Sequence, residues 1–221
     1  MKHLKICSIG LLAMLLLVPA VLNAKNGDWQ QWTESRFVYK INDDFDASFR
    51  YEQRLEEDAS RFAVNIFEPI FTWHQSKNWD FNVTYRRFER YEPAASANNE
   101  ATTAATLKLP ISKELDFSNR FRFQFVVPEG SGPDWYTLYR NKTELRAKLK
   151  VEDFEFQPFI WEELFVNIDE GLIDQNRAAV GVGFPITEEL VADFAFMRLD
   201  RKTAAGWEWH PIGLVSLKVV F

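Results

Sequence analysis

The sequence predicts an all-β chain: a single antiparallel, up-and-down transmembrane β-barrel of about 10–12 strands. Three observations carry this. Apolar and polar residues alternate with a period of two along nearly the whole chain. Tight polar turns alternate with longer loops, as in a barrel threaded through a membrane. The final segment, Trp209 to Phe221, reads as a strand, although chain ends are ordinarily frayed and polar.

The first 24 residues stand apart from that pattern. A basic start, MKHLK, precedes the apolar run ICSIGLLAMLLLVPAVL, and Leu22 and Ala24 occupy the −3 and −1 positions of a cleavage site. This is the three-part form of a secretory signal peptide, so residues 25–221 are expected to form one exported domain. Loss of Lys2 and Lys5 with the signal takes the formal charge from −6 to −8. Loss of Cys7 removes the only cysteine, so packing and backbone bonding must stabilise the domain without a disulfide. The acidic balance and the absence of a Lys/Arg run argue against a nucleic-acid partner. The sequence suggests no cofactor and no metal site.

Eleven segments carry the strand pattern: 29–41, 45–56, 61–74, 79–91, 101–111, 115–127, 136–151, 154–166, 176–186, 189–200 and 209–221. In the second, Phe45, Ala47, Phe49 and Tyr51 oppose Asp46, Ser48, Arg50 and Glu52. In the sixth, Phe117, Phe121, Phe123 and Phe125 oppose Ser118, Arg120, Arg122 and Gln124. Tight turns fall at 42–44, 76–78, 112–114, 152–153 and 187–189. The longer loops are EDAS, EPAASANNEA, EGSGPDW, IDEGLIDQ and RKTAAGWE. Single-chain bacterial barrels usually have an even number of strands, and eleven segments leave the expectation at ten to twelve.

Alternation alone does not say which face points out. The strands are long enough to cross a bilayer at a tilt. The polar faces carry Arg and Glu on neighbouring strands, which suits ion pairing in a crowded lumen. Trp29, Trp32, Trp73, Trp79, Trp135, Tyr136, Trp207 and Trp209 fall near strand ends, where an aromatic girdle would lie. Arginines turned to lipid near mid-membrane would cost about 2–4 kcal/mol each. The expected lumen lining is therefore Arg50, Glu52, Arg54, Arg86, Arg120, Arg122, Arg140, Glu144 and Arg146. On the last strand Val215, Leu217, Val219 and Phe221 share the outward face. They resemble the C-terminal signal that the barrel-assembly machinery reads in bacterial outer-membrane proteins. The expected location is thus the bacterial outer membrane, with its lipids as surroundings.

Several short motifs, in order, resemble an uncharacterised bacterial family catalogued as domain of unknown function 2490. They are Trp32 with its following hairpin, EQR (Glu52–Arg54), YRR (Tyr85–Arg87), ELRAKL (144–149), QPFIWEELF (157–165), NRAAVGVGF (176–184) and the closing strand. The resemblance covers residues 29–221 and implies an outer-membrane barrel; the family brings no established activity. Members often close on a His followed by a strand, and here Pro211 follows His210.

Three stretches carry candidate chemistry. In HQS, His74 and Ser76 share a strand face, as a base and nucleophile would in an outer-membrane lipid hydrolase. The pair lies at a tight turn, and the favoured reading is a turn without catalysis. GVGFPI lacks the third glycine and the helix of a nucleotide loop, and its glycines read as bends or close approaches. Asp169, Glu170 and Asp174 lack the spacing of a calcium loop. The Arg/Glu ladder reads either as a lining that selects anions or as paired charges bracing a narrow lumen. The function expected is a structural or narrow-pore barrel. The alternatives are a lipid-modifying hydrolase and a soluble periplasmic barrel with lipid in an apolar interior.

Overall fold

The computed structural model describes residues 27–91, 95–130 and 135–221. The signal peptide expected at 1–24 lies outside the described residues. These residues form strands β1 (Gln30–Lys40), β2 (Phe45–Glu56), β3 (Arg61–His74), β4 (Trp79–Arg90), β5 (Ser96–Pro110) and β6 (Leu115–Pro128). They continue as β7 (Tyr136–Ala147), β8 (Leu149–Val151), β9 (Phe154–Asn167), β10 (Leu172–Pro185), β11 (Leu190–Thr203) and β12 (Gly206–Val220). No helix occurs among the described residues.

The strands close on themselves. Each pairs with its sequence neighbours, β7 with β9 and β12 with β1. The three-residue β8 continues the line of β7 and pairs only with β9. The interruption falls opposite Pro158: the β7–β9 ladder ends at Arg146↔Phe159 and resumes at Leu149↔Phe156. Proline has no N–H to donate, so the ladder must break beside it. Pro69 does the same in β3, where pairing with β4 jumps from Phe67↔Arg87 to Ile70↔Thr84.

Counting β7 and β8 as one, eleven strands wall the barrel, the same eleven segments the sequence pattern marks. Eleven falls within the expected ten to twelve and is not the even number usual for such barrels. With an odd count, first and last strands run in the same direction, and β1 and β12 pair in parallel from Gln30↔Ile212 to Val38↔Val220. All other neighbouring pairs are antiparallel. The seam is completed at the chain end, where Phe221 N–H donates to Val38 and Lys40 N–H donates to Phe221. The last residue is ladder, not tail.

Strands run further into the expected loops than the alternation suggests. Ser96–Ala101 reads as loop yet pairs with β4 up to Arg90↔Ser96 and with β6 up to Asn98↔Pro128. The flanking strands extend that far, and their backbone groups need partners. The connections after β9 and β11 are correspondingly tight, turning at Gly171 (φ +65°) and Gly206 (φ +121°). Both backbones lie where L side chains are strained. The contrast between short and long connections is weaker than the sequence indicates.

Register decides the faces. Phe37, Phe49, Phe71, Phe81, Phe123, Val180 and Leu217 all point outward and are 38–53 % exposed. The opposite face carries buried Arg54, Glu68, Arg86, Glu100, Arg122, Arg140 and Glu163. Charge is inside and hydrocarbon outside, the reverse of a soluble protein. Two members of the expected girdle leave it: Trp32 pairs with inward Arg54 and is 3 % exposed, and Tyr136 pairs with inward Val126. Proximity to a strand end does not set a side chain's face; parity does.

Candidate functional site: the barrel interior

The interior is layered along the barrel axis. Toward the rim where β1 begins, it carries two apolar clusters. Trp32, Ala179, Met197, Leu199 and Ile212 form one cluster, and Ala63, Val64 and Ile66 form another with Phe88 against it. The sequence predicts an Arg/Glu-lined lumen and does not single out these clusters. Its parity rule holds here, but several inward positions toward this rim are apolar and stand among polar Gln30, Arg54, Gln175 and Arg201. Val64, Ile66, Val126, Leu199 and Ile212, on four strands around the wall, are inaccessible to solvent.

Beneath those clusters lies a belt of arginines and glutamates, and all nine expected lining residues point into the lumen. Arg54 Nε donates to Glu52 at 2.7 Å, with its guanidinium 3.6 Å above the Trp32 ring. Arg50 bonds Glu34 at 2.9 Å and also Glu68, which is fully buried. Across the facing wall runs one continuous chain. Arg86 pairs with Glu100 at 3.2 Å, Gln124 donates to Glu100 at 2.7 Å, and Arg140 donates to Gln124 at 2.9 Å. Arg140 also donates to Glu163 at 2.9 Å, as Arg120 does at 3.0 Å, and Arg177 approaches it at 3.7 Å. Arg140 and Arg177 stack over Phe165 at 4.2 and 4.6 Å. Glu144 takes Lys142 and Arg146, each at 3.0 Å. Arg146 reaches both oxygens of Asp193 at 3.0 Å.

Glu100, Glu163 and Arg177 complete this network and are absent from the residues singled out from sequence. Glu100 lies in a stretch that reads as loop. Glu163 sits beside Glu162, and only the register Lys142↔Glu163 shows which of the two faces inward. An adjacent acidic pair in an inward-polar strand was the one available signal.

His74 and Ser76 are not brought together. The imidazole is held between two carboxylates, Nε2 to Asp46 and Nδ1 to Asp80, both at 2.9 Å. Ser76 Oγ accepts from the N–H groups of Asn78 and Trp79 and closes the turn. Substituting His74 with Ala unties β2, β3 and β4 at this rim. The expected result is a lowered unfolding midpoint, with no change in fatty-acid release from membrane lipids by either His74→Ala or Ser76→Ala.

Asp169 accepts from the N–H of Thr137 at 2.7 Å and serves the turn after β9. Gly181 is a close approach: a Cβ there would lie 2.6 Å from the carbonyl oxygen of Phe194 and 2.8 Å from the Ala195 Cβ. Gly181→Val is expected to destabilise the barrel by about 1–3 kcal/mol, read from denaturant unfolding. Outside the lumen, Arg87 at the loop rim holds Glu129 and Asn99, and the guanidinium keeps the Glu129 carboxyl below its usual range. Val215, Leu217, Val219 and Phe221 line the outer face of the seam, with Phe221 68 % exposed.

A family described as "Protein of unknown function (DUF2490)" has a model that matches residues 29–210. No curated protein matches the chain. Among solved structures, it is similar in fold to one described as "NanC porin structure in rhombohedral crystal form". The identity is 11 % and the TM-score 0.49, over 87 % of this chain and 98 % of that one.

Proposed function

We propose, for a chain that belongs to the DUF2490 family of proteins of unknown function, a non-catalytic outer-membrane barrel whose interior is closed to solute flow. In this reading residues 1–24 direct export. The barrel-assembly machinery recognises the outer face of β12 through Val215, Leu217, Val219 and Phe221. Membrane lipid then covers the exterior.

The observation that carries the reading is the inverted polarity. An ion-pair network fills the inside, while phenylalanine and valine occupy the exposed outside. In water that exterior would be a large apolar patch of the kind that drives association. In a bilayer it is the required surface. The ion pairs occupy the space that a lipid would need in a soluble carrier. The solvent-inaccessible residues on β3, β6, β11 and β12 favour a brace over a pore, because water does not reach them.

Two measurements test this. The protein isolated in outer-membrane fractions is expected to migrate differently on SDS gels before and after boiling. Purified barrel in planar bilayers is expected to give no conductance steps above background. Regular steps would replace the brace with a narrow pore. A soluble protein without a heat shift would remove the membrane reading itself.

A further inference from the structure

We propose that the arginine belt is a binding site for one small oxyanion, of the phosphate or sulfate class, centred on Arg122. The inference rests on how the carboxylates of the belt are already used. Glu52 takes Arg54, Glu68 takes Arg50, Glu100 takes Arg86, and Glu163 is shared by Arg120, Arg140 and Arg177. None of them hydrogen-bonds or ion-pairs with Arg122, although Glu68 and Glu163 lie near enough to act on its charge. Its side chain lies in the middle of β6, facing inward, and the residue is only 5 % exposed. It makes no hydrogen bond or ion pair among the described residues, and its buried Nε has no acceptor.

Glu68 and Glu163 act on it through space, but its nearest neighbours along the wall are positive. Arg140 is its cross-strand partner and Arg120 stands two residues away on the same face. Like charges directly opposite one another on a sheet repel. A buried guanidinium without a partner is among the costliest arrangements in a protein interior. Three guanidiniums converging on one region supply planar, forked donors of the geometry that oxyanions accept. An anion bound there would satisfy Arg122 and relieve its repulsion from Arg120 and Arg140.

The approach is from the short-turn rim. The side chains of Arg120 and Lys142 retain 29 % and 23 % exposure, and Lys108, nearer that rim, retains 42 %. Toward the other end, Val64, Ile66, Val126, Leu199 and Ile212 are inaccessible to solvent. The anion therefore enters and leaves by one mouth, and the site does not require the barrel to conduct.

The test uses the full barrel, refolded in an uncharged detergent and checked by its heat-shifted band. Inorganic phosphate is titrated calorimetrically and in thermal unfolding, against sodium chloride at matched ionic strength. Saturable binding of one phosphate is expected, with a melting temperature that rises with its concentration as mass action requires. In Arg122→Met, binding is expected to weaken at least tenfold and the phosphate-dependent rise to vanish. Without phosphate, this variant should melt no lower than the parent, because the substitution removes an unpaired charge and keeps the volume. Arg122→Lys should retain part of the affinity. Micelles doped with phosphatidylglycerol supply the same phosphate chemistry on a lipid, and an enclosed site should not respond to them.

No saturable binding, a response to the lipid alone, or equal binding by parent and Arg122→Met would overturn the proposal. An Arg122→Met barrel that melts well below the parent in every buffer would also overturn it, by making Arg122 a brace. If Arg122→Met does not fold, Arg120→Met and Arg140→Met take its place. Phosphate affinity unchanged in both would exclude the site.

Discussion

Val180→Arg is expected to destabilise the barrel in lipid by about 2–4 kcal/mol. The position is chosen because the alternatives predict different sizes of effect. Val180 sits near the middle of β10, faces outward and is 53 % exposed. In a water-soluble barrel, a charge added to such a surface changes stability by no more than about 0.5 kcal/mol. In a membrane the same guanidinium must be dragged into hydrocarbon. Urea unfolding of parent and variant, refolded into phosphatidylcholine vesicles, reads the difference. A shift below about 0.5 kcal/mol would mean that the outer face does not meet lipid.

The second large effect is expected at Glu163, where Glu163→Gln should remove about 3–5 kcal/mol. This carboxylate is 3 % exposed and neutralises the guanidiniums of Arg120 and Arg140, with Arg177 close by. Glutamine keeps the shape and withdraws the charge, which leaves buried cations uncompensated. Glu155→Gln, at the exposed start of β9, serves as control and should change stability by less than about 0.5 kcal/mol. Equal behaviour of the two variants in the same unfolding assay would mean that the belt does not brace the wall.

The strands were legible because a strand repeats every two residues whatever it packs against. Phe121, Phe123 and Phe125 against Arg120, Arg122 and Gln124 declare both a strand and its two faces. Legibility failed where parity was ambiguous or masked. Glu100 was hidden in a small-residue stretch that extends β5 only because β4 and β6 extend beside it. Trp32 looked like an interface residue until its pairing with Arg54 turned it inward.

By itself, then, the sequence determined the class of fold, the segments and the sense of the faces, since those follow from local periodicity and from the cost of placing arginine in hydrocarbon. The tertiary structure alone decided closure. An odd strand count forces a parallel seam between β1 and β12, a relation between residues that are far apart in the chain. It also decided which carboxylate meets which guanidinium, because ion pairs form across strands at distances that register sets. That allocation left Arg122 without a partner, which no alternation pattern encodes.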